Sequence, residues 1–97
     1  SSRAPSGFLD WFDRTRSAVQ QRALRAALGL IHNARSQGRW IEVEEWARKV
    51  LIADQLHEEA TLALAESAAM CGAKTRAIEI LDGYLVELGQ SSAEALK

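Results

Sequence analysis

Cysteine, proline and aromatic residues are scarce in this 97-residue chain, and each scarcity closes off a class of protein. Cys71 is the only cysteine, so neither an internal disulfide nor a cysteine-based metal site can form, and the composition fits a reducing compartment. A single proline suits a folded helical protein. Charges interrupt every apolar stretch well before the ~18 residues that a membrane span needs, and no signal-peptide pattern opens the chain. A cytoplasmic location is the expectation. Phosphate-loop and dinucleotide glycine patterns are missing too. What is present is 47% apolar and 26% charged residues, the balance of one small folded domain. A domain of this size buries only roughly 60–65% of its unfolded surface. The start at Ser1-Ser2, without a methionine, reads as an excised fragment.

The net charge of −1 conceals an uneven distribution. Residues 1–39 carry seven arginines against Asp10 and Asp13, a surplus of +5, whereas residues 40–97 carry five basic against eleven acidic groups, a surplus of −6. Arg14, Arg16, Arg22 and Arg25 read most simply as the solvated face of a long helix. With a pI near 6.1 and no interleaving of aromatic and basic residues, direct DNA contact is not expected.

Every periodic segment is helical, and the expected fold is all-α, with four helices plus the start of a fifth. Residues 1–7 form an irregular lead, and residues 8–97 one helical domain. Ser6 is placed to cap a helix from Phe8 to Gln37, with Asp10 favoured near its positive end. Such a helix of roughly 29 residues would be about 43 Å long. Along it Phe8, Trp11, Phe12, Thr15 and Val19 form one stripe, which passes to Leu24, Ala27, Leu28, Ile31 and Ala34. Trp40–Ala53 sets Trp40, Val43, Ala47, Val50 and Leu51 on one face, while Glu44/Arg48 and Glu45/Lys49 stand at i, i+4 spacing. Residues 56–71 are rich in alanine and leucine, allowing close packing on both sides. Residues 74–88 group Ala77, Leu81, Tyr84, Leu85 and Leu88, and Gly89 is placed as a left-handed terminator. Ser91 and Glu94 then have capping-box spacing for a fifth helix over 91–97.

Gly38-Arg39-Trp40 and Gly72-Ala73-Lys74 each close one helix and open the next, and the two glycines are 34 residues apart. Laying residues 25–58 over 59–92 matches Leu30 with Leu64, Ala34 with Ala68, Val43 with Ala77, Ala47 with Leu81, Val50 with Tyr84 and Leu51 with Leu85. This period resembles the tetratricopeptide repeat (TPR), a helix-turn-helix unit of 34 residues. Ile31, Gln55 and Lys74 depart from that family's usual glycine, proline and aromatic. The hairpins would then cover about 8–54, with an extended first helix, and about 56–89.

Trp11, Arg14 and the Gln21–Leu28 stretch, followed by Asp54-Gln55-Leu56-His57-Glu58-Glu59-Ala60 and by Tyr84-Leu85-Val86-Glu87-Leu88-Gly89, resemble the bacterial transcriptional activator domain, a TPR-like family. The resemblance spans nearly the whole chain; Gln55 stands where the junction usually has proline. It implies a protein–protein interaction domain of a multidomain transcriptional regulator, touching DNA only through a separate domain. The partner would be another domain of the same regulator, a regulatory protein, or a second copy. A general TPR scaffold or oligomerisation module is the alternative.

The leading helix of each such hairpin lines the concave side, which makes Arg25, Leu28, His32 and Arg35 one row of a candidate protein-binding surface and Glu59, Leu62, Glu66 and Met70 the other. Either the rows clamp a charged segment, or Arg25 and Arg35 simply pair with Glu59 and Glu66. Trp46 falls at the edge of its helix's core stripe, either packed on the first helix or free as an interface anchor. Phe8, Trp11, Phe12, Thr15 and Val19 either cap the stack or self-associate. His32 and His57 are isolated, and the adjacent pairs Glu44-Glu45 and Glu58-Glu59 point about 100° apart on a helix, so no catalytic set, metal, cofactor or small-molecule ligand is expected.

Overall fold

The computed structural model describes residues 6–96, among which there are four α-helices and no strand: α1 (Ser6–Ser36), α2 (Trp40–Ala53), α3 (Glu58–Met70) and α4 (Lys74–Ala95). Helix α1 begins two residues before Phe8; the expected capping role of Ser6 lies outside the described side chains, as do residues 1–5 and Lys97. No helix among the described residues is long and apolar enough to cross a membrane.

Two of the three turns share one chemistry. Gly38 and Gly72 have φ of 70° and 89°, the left-handed region that L side chains enter only at a cost. Around Gly38 the Arg39 amide donates to the Ala34 carbonyl at 2.9 Å and the Gly38 amide to Arg35 at 3.1 Å. Around Gly72, Ala73 donates to Ala68 at 2.8 Å and Gly72 to Ala69 at 3.1 Å. Both are Schellman caps, which satisfy the last helical carbonyls and reverse the chain. The 34-residue period therefore repeats down to individual hydrogen bonds. The third turn, Asp54–His57, is built from side chains: Asp54 Oδ1 accepts from the Leu56 amide at 3.1 Å, and His57 Nδ1 accepts from the Ala60 amide at 3.2 Å. His57 is thus the N-cap, and α3 starts at Glu58, two residues after the expected Leu56.

Successive helices pack as antiparallel neighbours, α1 on α2, α2 on α3 and α3 on α4, while α1 and α3 touch only slightly. The first core joins Ala27, Ile31 and Ala34 of α1, Val43, Ala47 and Val50 of α2, and Ala60, Ala63 and Leu64 of α3. A second, smaller cluster joins Ala65 and Ala68 to Ala77, and Ile80 packs against both. The expected core stripe of α2 is confirmed, with Trp40 and Leu51 half-buried at its edges. The repeat pairing holds for Ala34/Ala68 and Val43/Ala77, all buried. It fails for Leu30/Leu64, since Leu30 is exposed and Leu64 buried.

Helix α4 corrects the expectation of a fifth helix. Gly89 does not adopt positive φ, and the helix runs through Ser91 and Glu94 to Ala95. A left-handed terminator is useful where the chain must fold back onto a packed neighbour; beyond Leu88 no such neighbour exists, and continuing the helix retains its backbone hydrogen bonds. Leu85 and Leu88, expected in the core, are exposed for the same reason.

Unequal helix lengths give the molecule its shape. Helix α2 occupies only the second half of α1, and α3 only the first part of α4: before Leu24 every described side chain of α1 is exposed, and after Tyr84 every one of α4. Residues 6–19 project about 21 Å beyond the packed layer, and residues 88–95 about 12 Å. Gln20 and Leu24 lie beside Val50 and Asp54, and Gln55 and Thr61 beside Tyr84 and Glu87, so both projections leave from the same end. The radius of gyration is 17.4 Å, against about 13 Å for a compact chain of this length.

Glycine substitutions separate the two kinds of position. Gly72→Ala, with open space for its methyl but a φ of 89°, should lower unfolding free energy by about 1–2 kcal/mol in urea titration. Gly89→Ala should raise it by up to about 1 kcal/mol, since Gly89 is helical and equally uncrowded. A loss at Gly89 would restore the terminator.

Candidate functional site

The α1/α3 face forms because each helix commits its opposite side to the core. On α3 Ala60, Ala63, Leu64, Ala65 and Ala68 take the inward arc, leaving Glu59, Leu62, Glu66 and Met70 toward solvent; Leu62 is 49% and Met70 60% exposed. On α1, Ala27, Ile31 and Ala34 face inward, with half-buried Leu28 beside them and Arg25, His32 and Arg35 further round.

The rows meet at one ion pair: Arg35 Nε donates to Glu66 Oε1 at 2.6 Å. Both side chains are partly exposed (36% and 40%), so the pair is worth at most about 1 kcal/mol and is screened by salt. Arg25 and Glu59 form no such pair. Of the two expected cross-row bridges, then, one exists. His32, Arg35, Ser36, Trp40 and Glu66 surround a shallow recess of about 350 Å³ above this pair. Trp40 was expected in the core and Ser36 in no role at all; both reach this rim because the Gly38 turn folds the start of α2 back against the end of α1. Spacing within one helix carries no signal for that juxtaposition.

Trp46 packs on the edge of the first core, with Lys49 Nζ 4.4 Å from its ring centroid. It borders a cleft of about 530 Å³ with Gln20, Leu24, Ala27 and Val50, at the point where α1 leaves the layer. His57 is a helix cap, its Nδ1 accepting from the Ala60 amide. Among the described residues no group of three or more His, Cys, Asp or Glu side chains gathers to hold a metal ion.

The N-terminal stripe does not cap the stack. Phe8, Trp11, Phe12 and Val19 are 51–60% exposed, and Thr15 is exposed with them. At 100° per residue, Phe8, Phe12, Thr15 and Val19 point roughly 110° away from the buried arc of α1, so a continuous helix cannot return them to its own core. The Phe8 and Trp11 rings face each other with centroids 6.3 Å apart. A second, largely uncovered stripe lies on α4, where Ile78, Leu81, Leu85, Leu88 and Ser92 follow at alternating steps of three and four; Leu81, Leu85 and Leu88 were expected in the core, and only Leu81 is half-buried there.

No family model, curated protein or solved structure matches this chain. The resemblance to the bacterial transcriptional activator domain rests on the quoted sequence motifs alone.

A double-mutant cycle of Arg35→Ala and Glu66→Ala should give a coupling of at most about 1 kcal/mol in urea denaturation, falling toward zero at 1 M NaCl. A coupling that survives salt would assign the pair a buried structural role.

Proposed function

We propose that this chain is a protein–protein interaction domain of a multidomain bacterial transcriptional regulator, built from two TPR-like hairpins. The observation that carries the reading is the α1/α3 face: Leu62 and Met70 stand half exposed on the same helix as Glu66, whose pair with Arg35 borders a shallow recess. Apolar anchors at i and i+8 with a charged residue between them suit a helical or extended protein segment better than a small molecule, which prefers an enclosed pocket. Such a surface takes a segment of another domain of the regulator or of a regulatory partner. Contact with DNA passes through a separate domain, and the function calls for neither cofactor nor membrane.

The exposed stripes of α1 and α4 favour a second reading, a scaffold or oligomerisation module outside transcription, because helices that leave long apolar stripes uncovered are built to be covered.

Fusion to a heterologous DNA-binding domain tests the proposal. The fusion should activate a promoter bearing the cognate site, and Leu62→Arg or Met70→Arg should reduce that activation at least about tenfold without loss of helical circular dichroism, the size expected when a buried interface anchor is lost. A folded fusion that never activates overturns the transcriptional reading. Unchanged activation in both variants removes the α1/α3 face.

A further inference from the structure

The two projecting helix segments are chemically matched to each other but never meet within one chain. Helices α1 and α4 make no contact. On α1 the steps from Phe8 through Phe12 and Thr15 to Val19 are four, three and four; on α4 the steps from Leu81 through Leu85 and Leu88 to Ser92 are the same. That alternation is the seam of a left-handed helix pair, in which a residue every three or four positions faces the partner. Most of each seam is uncovered: the α1 stripe is turned away from the core, and the α4 stripe is centred roughly 50° round from the buried Ala77, with Leu81 half-buried against the second core and Leu85, Leu88 and Ser92 exposed.

Charge selects which seams can pair. Residues 6–25 carry Arg14, Arg16, Arg22 and Arg25 against Asp10 and Asp13. Residues 77–96 carry Glu79, Asp82, Glu87 and Glu94 and no basic residue. Pairing α1 with α1 sets arginines against arginines, and pairing α4 with α4 sets carboxylates against carboxylates. Only α1 with α4 brings opposite fields together.

We infer that a second copy of this chain is the occupant of both seams. In this two-fold dimer the α1 projection of each protomer lies along α4 of its partner. The inference rests on reading the chain as an interaction domain and deepens its self-associating aspect. Because both projections leave the same end of one protomer, a two-fold axis across that end carries each α1 to the partner's α4. The two helices are antiparallel within one chain, so the rotation makes them parallel across the dimer. Each contact runs about 20 Å along helices about 10 Å wide and covers on the order of 400 Å² counting both helices; two of them together cover about 800 Å², close to what a specific interface needs, and one alone falls far short. Reciprocal closure also leaves no seam open for further addition, so association stops at two.

Charge reversal tests the pairing with substitutions that touch nothing inside the protomer. One variant carries Arg14→Glu, Arg16→Glu and Arg22→Glu; the other carries Asp82→Lys, Glu87→Lys and Glu94→Lys; all six positions are exposed. By light scattering at low salt the unaltered chain should have twice the protomer mass. Each variant alone should be monomeric to at least tenfold higher concentration, and an equimolar mixture should recover the dimer. Phe12→Asp should also give a monomer, with unchanged circular dichroism. A monomeric unaltered chain, either charge variant dimerising alone, or a mixture that stays monomeric overturns the inference. Promoter activation that persists in a monomeric chain removes the dimer and leaves the α1/α3 face standing; a dimer without activation does the reverse.

Discussion

Close packing around α3 is the constraint on which the rest of the structure depends. Its inward arc is Ala60, Ala63, Leu64, Ala65 and Ala68, with Thr61 and Ser67 returning their hydroxyls to the His57 and Leu64 carbonyls at 2.9 and 2.7 Å. Side chains this small let α2 and α4 approach α3 from both sides, and the buried hydroxyls are satisfied without a partner from another helix. Bulk is supplied chiefly by Ile31 and Val43 on the first two helices. The first core is therefore larger than the second, where Ala65, Ala68 and Ala77 rely on the half-buried Ile80 and Leu81. Fewer buried apolar groups hold α4 than hold α1 and α2, and α4 is the element placed to open first.

A layer of helices that is only 17 Å thick in its shortest dimension has no second layer to hide apolar surface. Each helix can cover one side, and whatever its remaining sides carry meets solvent. On α3 that remainder is the half-apolar, half-charged row around Glu66; on α1 and α4 it is a pair of long seams. All three features follow from the same geometry, and they divide by chemistry: a short row joined by an ion pair, and two extended apolar stripes with opposite charge beside them. The recess beside Trp40 is made by the reversal at Gly38, so one turn serves both the fold and the candidate surface.

Much of this was legible in the chain. Helix α2 occupies Trp40–Ala53 as its stripe indicates, and the glycine period marks both Schellman turns. The acidic junction after α2 was visible as a boundary, but not the role of His57, because histidine is an unusual N-cap. Gly89 misled for a related reason. A glycine after an apolar run, followed by Ser91 and Glu94 at capping-box spacing, has the local chemistry of a stop and a restart, and local chemistry is decisive only where tertiary contacts force the chain to turn.

What the sequence by itself determined is the set of properties confined to a few neighbouring residues: helical periodicity, left-handed turns at Gly38 and Gly72, and the 34-residue register that relates them. These follow from sterics and hydrogen bonds within one or two turns of backbone. Only the tertiary structure decided which apolar stripe is buried and which is left over. Phe8, Phe12 and Val19 have the same period as Ala27, Ile31 and Ala34, yet one group is exposed and the other is core. Periodicity reports that a helix has an apolar side, but burial depends on whether another helix is long enough to reach it, and α2 is not. The same distinction separates Arg35, paired with Glu66, from Arg25, which stands in the same row facing Glu59 on paper and forms no ion pair with it in space.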